Sequence, residues 1–298
     1  MFSQLDASTL VGLVGGATLV AGILYEWLAG KYKDGKKTRE DWLMGGLAAS
    51  FLSIVQRPLL LLVVFAAMTG LFPAHEGSLN FIDTQYFWWG LLGFVLIDEF
   101  LHGATHKLAH IPKVKNKVVR KVQEFYRKAH RPHHLIGGND GKGELSVTHT
   151  IVEGWAWWLF LPNYAFGFVA LYFGLHDIFI WGTLIKGVWG LHVHTNWNYD
   201  LYFLNHPNKY VRKAMYGLCH VITFPTMHQH HHSRGKNSAK NMQNLLALYD
   251  WLFWGIAIET ERPKTFGWKQ KATEEHDVLH RFFHTKPKAK PAPVAKAA

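Results

Sequence analysis

Cysteine is nearly absent from this chain of 298 residues, which contains Cys219 and no other. A single thiol excludes an intramolecular disulfide, and it excludes zinc or iron–sulfur sites that need several cysteine ligands. The sequence also has no glycine-rich nucleotide or flavin fingerprint. Any redox chemistry in this protein would therefore need electrons from a separate molecule.

Charged residues are missing from three long stretches, 7–25, 58–75 and 154–176. A helix needs about 20 apolar residues to cross the hydrocarbon core of a membrane. No basic residue precedes the first stretch, so we expect a retained anchor rather than a cleaved signal peptide. These stretches predict an integral membrane protein.

The alternation of apolar and basic segments predicts about four to five transmembrane helices. We expect spans near residues 8–29, 58–72, 85–101, 152–174 and 178–194. Residues 42–56 are expected to lie along the interface or dip into it, with Pro58 opening the second span. Lys and Arg concentrate in 31–39 and 107–131, and they accumulate on the cytoplasmic side of membrane proteins. The histidine-rich segments that follow are therefore predicted to face the cytosol.

Histidine is abundant, with 20 residues, and several of them recur at a spacing of three or four. That spacing directs side chains to one face of a helix. The candidate metal ligands are His106 and His110 in "HKLAH", His130, His133 and His134 in "HRPHH", His228, His231 and His232 in "HQHHH", and His194. His102 and His192 are further candidates. Each of the two triplets is expected to close on one metal region.

The number of histidines indicates more than one metal ion. A closed zinc site takes four ligands, so eight or nine imidazoles suit a site with two metal ions. Imidazole binds zinc, copper, iron and nickel alike, and spacing does not choose among them. One isolated pair four residues apart is more often incidental than a ligand pair. Two triplets and a pair on one predicted membrane face argue against coincidence.

These three motifs, in this order behind apolar segments, resemble the fatty acid hydroxylase/sterol desaturase superfamily. The resemblance covers about residues 95–256 and includes "KNMQNLLALYDWLFWG" after the last histidine cluster. The sequence "HTNWN" is similar to the family's intermediate histidine followed by asparagine, which favours His194 over His192. Lys107 stands where the family has arginine, and "FWG" replaces the family's final "FGT".

The resemblance implies an all-α, polytopic membrane protein whose transmembrane helices are capped by a cytosolic di-metal domain. Residues 1–94 would form N-terminal membrane helices, 95–260 the catalytic region, and 261–298 a basic, partly disordered tail. The implied cofactors are two iron ions, Fe2+ or Fe3+, with O2 as co-substrate. The implied reaction hydroxylates or desaturates a lipid such as a sterol, a fatty acyl chain or a sphingolipid. A bacterial inner membrane is favoured over the endoplasmic reticulum.

Several polar residues are expected to support the metal site. Ligand histidines need a partner on the second ring nitrogen, and the candidates are Asp98, Glu99, Asn241 and Asp250. Each has an equal claim as a helix-end or surface residue. Lys186, a charge inside the fifth predicted span, is assigned to a lipid head group or cavity water. His149 and His220 are taken as supporting or structural residues.

The nine basic residues of 107–131 have two interpretations. They anchor the protein against anionic head groups, or they dock an acidic electron donor, a ferredoxin or a b-type cytochrome. Nucleic-acid binding is not expected so close to a membrane. Two other functions remain open, a zinc-dependent membrane hydrolase and a haem electron carrier with two axial histidines. The first would leave most of the histidines without a task, and the second needs single histidines on facing helices.

Overall fold

The computed structural model describes residues 7–33, 37–136, 143–269 and 277–285. Within these ranges the regular elements are helices, and extended pairing is limited to one isolated bridge between Ser233 and Phe266. The predicted all-α class is confirmed. The lysine- and proline-rich end of the chain, predicted to be disordered, lies almost wholly outside the described residues.

The described residues form thirteen α-helices joined by short loops and 3₁₀ or π turns. The helices are α1 (Ala7–Leu28), α2 (Arg39–Phe51), α3 (Arg57–Leu71), α4 (Asn80–Gln85), α5 (Phe87–His110), α6 (Lys117–His130), α7 (Trp157–Phe160), α8 (Pro162–Tyr172), α9 (His176–Val193), α10 (Tyr199–Leu204), α11 (Lys209–Leu218), α12 (Pro225–His231) and α13 (Val278–Phe283). The 3₁₀ segments are Pro73–His75, Arg131–His134, Val147–Ile151 and Lys236–Ala239, and the π turns are Leu52–Gln56 and Asp250–Trp254.

One helical run of the described chain, Arg39–Leu71, is long and apolar enough to cross a membrane. It contains 33 residues, and Gly12–Leu28 within α1 is a shorter apolar helix. Length and composition therefore support one crossing. The multi-pass topology and the cytosolic position of the histidines stay predictions.

The expected break at Pro58 is wrong. Helix α2, the π turn Leu52–Gln56 and α3 continue as one run. Proline lacks an N–H, and in an α-helix its ring clashes with the carbonyl four residues earlier. The wider π turn directly before Pro58, in which the Arg57 N–H donates to the Leu52 carbonyl, lets the helix continue. Residues 42–56 are thus continuous with the candidate membrane helix, and their position along the interface stays a prediction.

The expected span at 152–174 is not one helix. Helix α7 has four residues and α8 has eleven, and Leu161 between them is extended with φ −70° and ψ 119°. Pro162 explains the break, because proline disfavours helical geometry in the residue before it. The third and fifth predicted spans do coincide with α5 and α9, although α5 runs on to His110.

Helix α5 packs against α6, α8 and α9, while α1 packs on α9 and α3 on α8. The close approach of α5 and α9 depends on two glycines. A Cβ atom at Gly90 would lie 2.4 Å from Ile178, and one at Gly182 would lie 2.5 Å from the ring of Phe94. This packing brings the C-terminal ends of α5 and α9 beside the end of α6 and beside α12.

Candidate metal centre

The nine histidines predicted as ligands converge in the structure and fall into two groups. In each group, one ring nitrogen of every member lies within 4.8 Å of those of the others. The first group is His106, His110, His130, His134 and His231, and the second is His133, His194, His228 and His232. These buried groups could hold metal ions, and they come from four separate segments of the chain.

The triplets do not each close on one metal region, which corrects the expectation from their spacing. In the first triplet His130 and His134 belong to the first group, while His133 belongs to the second. In the second triplet the middle histidine, His231, likewise crosses to the other group. In the second triplet, on α12, His228 and His232 differ by about 40° around the helix axis, whereas His231 lies about 100° from His232. The middle side chain therefore points towards a different position.

Local structure also separates the members of the first triplet. Helix α6 ends at His130, and the four residues that follow form a tighter 3₁₀ turn containing Pro132. Helix α12 is fixed at its start by Asp200, whose carboxylate accepts from the N–H and the hydroxyl of Thr226 at 3.0 Å each. Both histidine triplets are thereby held on short, well-defined backbone segments.

The ring nitrogens lie as close as ligands of a shared ion. The Nε2–Nε2 distances are 3.1 Å for His130 and His134, 3.3 Å for His133 and His194, 3.0 Å for His194 and His228, and 3.1 Å for His228 and His232. Two nitrogens bound to one metal at about 2.1 Å would be about 3.0 Å apart at a right angle and about 3.4 Å apart at the tetrahedral angle. The observed distances fall in this interval.

The other ring nitrogen of several members faces a backbone carbonyl. Nδ1 of His106 lies 2.6 Å from the Met242 oxygen, and Nδ1 of His194 lies 2.6 Å from the Gly190 oxygen. Nδ1 of His133 lies 3.1 Å from the Val152 oxygen. With the proton on Nδ1, a neutral imidazole carries a lone pair on Nε2. The facing lone pairs of His133 and His194 would repel each other unless a cation lay between them, so the donor set fits a metal ion.

Burial also sets the protonation of the site. It lowers the pKa of His133, His134, His228, His231 and His232 well below the usual value, and the neighbouring imidazoles add to the effect. These histidines are therefore neutral at pH 7. Neutral imidazole is the form that binds a metal.

His102 and His192, the two further candidates, lie outside both groups. The ring of His102 is 5.4 Å from that of His106, and its Nε2 has no hydrogen-bond partner among the described residues. His192 instead bonds through Nε2 to the Tyr199 hydroxyl at 3.0 Å. The preference for His194 over His192 agrees with this geometry. His230, between two grouped histidines, bonds to the Glu261 carbonyl at 2.7 Å.

Direct contacts between the four predicted supporting residues and the ligand histidines are absent from the described structure. The Asp250 carboxylate accepts from the N–H groups of Met242 and Gln243 at 2.8 and 3.0 Å, so it reaches His106 only through the Met242 backbone. Glu99 holds the backbone of Leu245 and Leu246, and Asn241 holds that of Met227 and Ala257. These side chains shape the loop beside the site. Hydrogen bonds from these four side chains to ring nitrogens are not found among the described residues; backbone carbonyls bond to four of those nitrogens and Glu153 to one.

Glu153 is a carboxylate that the sequence interpretation missed. Its oxygens lie 2.9 and 3.1 Å from Nδ1 of His130. It is 3% exposed. Its sequence signal was a lone acid directly before the longest uncharged stretch, where a carboxylate needs a specific partner.

Lys186 is an internal counter-ion rather than a residue open to a lipid head group or cavity water. Its ammonium pairs with the Asp98 carboxylate and lies 3.1 Å from that of Glu99. Lys186 on α9 and the two acids on α5 are largely buried. Mutual neutralisation makes burial of these charges tolerable, and it ties α9 to α5 below the histidines.

The predicted C-terminal tail contributes to the site in its described part. Trp268 stacks on His134, and Phe282 of α13 is 1% exposed.

Comparison of the chain with family models, with curated proteins and with solved structures gives no match. Function has to be inferred from the site itself.

Proposed function

We propose that this protein is a membrane-bound, O2-dependent di-iron oxidoreductase that hydroxylates or desaturates a C–H bond of a lipid. The observation that carries the proposal is the division of nine histidines into two adjacent groups with Nε2 atoms 3.0 to 3.3 Å apart. The sequence resemblance to the fatty acid hydroxylase/sterol desaturase superfamily supplies the reaction class.

The number of ligands favours iron over zinc. The first group offers five imidazoles and the second four. A zinc hydrolase would use three protein ligands and leave a position open beside a carboxylate base. Among the described residues, Glu153 is the one acid in the candidate metal groups, and it faces the Nδ1 atoms of His130 and His133. It is therefore not placed as a base in an open zinc site.

The arrangement also argues against a haem carrier. Axial histidines of haem lie on opposite sides of a flat macrocycle. Here the rings of His194 and His228 are 4.2 Å apart, and those of His134 and His232 are 4.4 Å apart. Histidines packed so closely leave no room for a macrocycle between them.

The residues of this chain would hold the metal ions, exclude water from them and provide an apolar environment for a lipid chain. Iron would supply the oxidation of an unactivated C–H bond, which amino-acid side chains cannot perform. The nine neutral imidazoles hold the metals, and the surrounding burial keeps water away from them. The histidines on α5 and α9 continue from apolar helices, so a lipid chain is a substrate that this environment accepts.

Location and partners complete the proposal. The apolar run Arg39–Leu71 supports insertion into a membrane. We propose that the histidine groups lie on the cytosolic side of that membrane, and that the membrane is a bacterial inner membrane. Electrons come from a separate protein of the ferredoxin or b-type cytochrome class, because the sequence contains no flavin or nucleotide fingerprint.

The first test is the metal content of detergent-purified protein, measured beside the His134→Ala/His231→Ala double variant. Both histidines belong to the first group. We expect about two irons per wild-type chain and about one in the variant. Less than one metal per chain, or zinc that the variant does not change, would refute the proposal.

The reaction class needs a second measurement. The wild-type protein, supplied with a chemical reductant and 18O2, is incubated with membrane lipid extract and the lipids are analysed by mass spectrometry. Hydroxylation adds one labelled oxygen, whereas desaturation removes two hydrogens without adding label. Lipids unchanged by an iron-loaded protein would refute the assigned reaction while leaving the metal centre in place.

A further inference from the structure

Glu153 lies between the two histidine groups. It belongs to the segment that links the 3₁₀ turn Val147–Ile151 to α7. Its carboxylate oxygens lie 2.9 and 3.1 Å from Nδ1 of His130, and one of them lies 3.5 Å from Nδ1 of His133. His130 is in the first group and His133 in the second. One carboxylate therefore faces a histidine of each group.

In both histidines, the Nδ1 edge of the ring lies on the side of Glu153, and the Nε2 edge faces the other histidines of its group. Nδ1 of His130 bonds to the Glu153 carboxylate, whereas Nδ1 of His133 bonds to the adjacent Val152 carbonyl and has the carboxylate 3.5 Å away. Nε2 of His130 lies 3.1 Å from Nε2 of His134, and Nε2 of His133 lies 3.3 Å from Nε2 of His194. An acceptor at Nδ1 keeps the ring proton there and leaves the Nε2 lone pair for a metal.

The backbone around Glu153 holds the carboxylate in place. The Gly154 N–H donates to the Ala129 carbonyl at 2.8 Å, directly before His130. A Cβ atom at Gly154 would lie 2.7 Å from that carbonyl oxygen and 2.6 Å from the ring of His284. On the other side of His130, the ring of Trp157 stacks at 4.3 Å with planes 26° apart. The absence of a side chain at Gly154 thus lets the Glu153 segment sit against the end of α6.

The acceptors of the two rings differ. His130 has Glu153 as its Nδ1 acceptor, whereas the Nδ1 acceptor of His133 is the Val152 carbonyl at 3.1 Å, with the Glu153 carboxylate next to it at 3.5 Å. The Val152 carbonyl and the Glu153 carboxylate lie on adjacent residues of one segment. Movement of the Val152–Glu153 segment would therefore change the orientation of His130 in the first group and of His133 in the second.

Charge adds a second reason for a carboxylate here. Imidazole ligands are neutral, so two divalent ions held by nine histidines would keep their full positive charge in a buried site. Among the described residues, Glu153 is the acid included in a candidate metal group. With cations bound beside it, Glu153 as an anion would make the imidazole that donates to it a better ligand and would offset part of that charge.

Resting on the proposed metal centre, we propose that Glu153 is a shared positioning residue, which orients one ligand of each metal ion and couples the binding of the two. It acts through His130 and His133 and touches neither ion. Its loss would weaken both metal sites together, although it lies in one short segment far from α12 in sequence.

The test separates the two sites before Glu153 is changed. The His134→Ala/His231→Ala variant keeps the second group intact, and the His228→Ala/His232→Ala variant keeps the first. Full-length, metal-free protein of each background is titrated with Co2+ in detergent, and the visible absorption of bound Co2+ reports affinity and ligand geometry. Glu153→Gln, which removes the charge at nearly constant volume, is then added to each background.

The expected result is a loss of Co2+ affinity of about 10- to 100-fold in both backgrounds, with a changed absorption spectrum. Glu153→Asp, which keeps the charge on a shorter side chain, is expected to recover part of the affinity. The matched control is Glu26→Gln. Glu26 is also fully buried, but it accepts from the Tyr32 and Ser146 hydroxyls at 2.7 Å each and from the Val147 N–H at 2.9 Å, and no imidazole of the described residues hydrogen-bonds to it.

Each remaining outcome decides against the inference. Unchanged affinity in either background shows that Glu153 does not serve both sites. An equal loss in the Glu26→Gln control shows a general effect of removing a buried acid. A third ion in the wild type that Glu153→Gln alone removes makes Glu153 a ligand. Wild-type protein that binds no Co2+ overturns the metal centre as well, whereas wild-type binding of two ions unaffected by Glu153→Gln overturns the positioning role alone.

Discussion

The indole of Trp268 lies flat against the imidazole of His134, with ring centroids 4.4 Å apart and planes 10° apart. The same indole lies 5.2 Å from the ring of His110, and its N–H donates to the Ser238 hydroxyl at 3.2 Å. Both contacted histidines belong to the first group. Trp268 therefore restrains and covers one of the two histidine groups that could hold a metal ion.

Replacement of Trp268 by alanine is expected to weaken the first metal site. The stacked ring limits the rotation of His134 and shields it from water, and loss of such outer support typically costs about 10-fold or more in metal affinity. Trp268→Phe keeps a stacking surface and is expected to retain most of the affinity. Co2+ titration of the His228→Ala/His232→Ala background, which retains the first group, measures the effect. A Trp268→Ala protein with undiminished affinity would show that the stack is mere packing.

Pairs of histidine variants are expected to follow the spatial groups and not the sequence motifs. His130→Ala/His231→Ala changes two motifs but one group, so about one metal ion per chain should remain. His231→Ala/His232→Ala changes one motif but both groups, so both ions should be weakened. Metal analysis after dialysis distinguishes the two patterns. His230→Ala, on the same helix, serves as the control and is expected to keep the full metal content.

Removal of the Lys186 ammonium is expected to destabilise the protein strongly. Lys186→Met would leave the carboxylates of Asp98 and Glu99 buried without their counter-ion, and breaking a buried pair in this way costs about 3–5 kcal/mol. The additional Asp98→Asn change removes one unpaired charge and should restore part of the loss. Thermal unfolding in detergent measures both steps. If Lys186→Met unfolds at the wild-type temperature, the ion pair does not stabilise the bundle.

The stability of the metal-free protein is expected to fall as the pH falls below about 6.5. Burial lowers the pKa of His134, His231 and His232 in the folded state, so the unfolded chain binds more protons in this range. The free energy of unfolding therefore rises with pH up to about 6.5 and levels off above it. Burial also raises the pKa of Glu153 and Asp200, and that of Asp250 to about 7, which acts in the opposite direction, but the buried histidines outnumber these acids.

Thermal unfolding of metal-free protein, scanned from about pH 5 to pH 7.5, measures this dependence. A His134→Gln/His232→Gln variant removes two of the titrating groups and should show a flatter profile. Bound metal should also flatten it, because metal and protons compete for the same nitrogens. Identical profiles for all three samples would contradict the assignment of neutral, buried histidines.

Helical structure and its interruptions followed from the sequence in part. The end of α5 at His110, before Pro112, agrees with the expectation from proline. A π turn carries the helix past Pro58, while Pro162, which the sequence prediction did not take into account, divides the expected fourth span. Proline forbids a regular α-helical hydrogen bond, but it does not decide whether the chain widens a turn or breaks.

The donor types of the candidate site were accessible from the sequence, because clustered histidines at helical spacing have few other uses. The nine positions predicted as ligands are the nine that the structure assembles into two groups. Metal binding itself stays a prediction until it is measured. The supporting groups were not accessible, since four of the ligand rings bond to backbone carbonyls such as that of Met242, which every residue type possesses.

The sequence by itself determined the helical class, the apolar run that can cross a membrane, and the histidines available for metal. Periodicity and composition are local properties, and they are sufficient for those conclusions. Only the tertiary structure decided that His133 and His231 belong to a different group from the other histidines of their triplets. It also decided that Glu153 lies beside one histidine of each group and that Lys186 pairs with Asp98 and Glu99. These relationships join residues far apart along the chain, and they depend on how α5, α6, α9 and α12 pack, which local spacing does not encode.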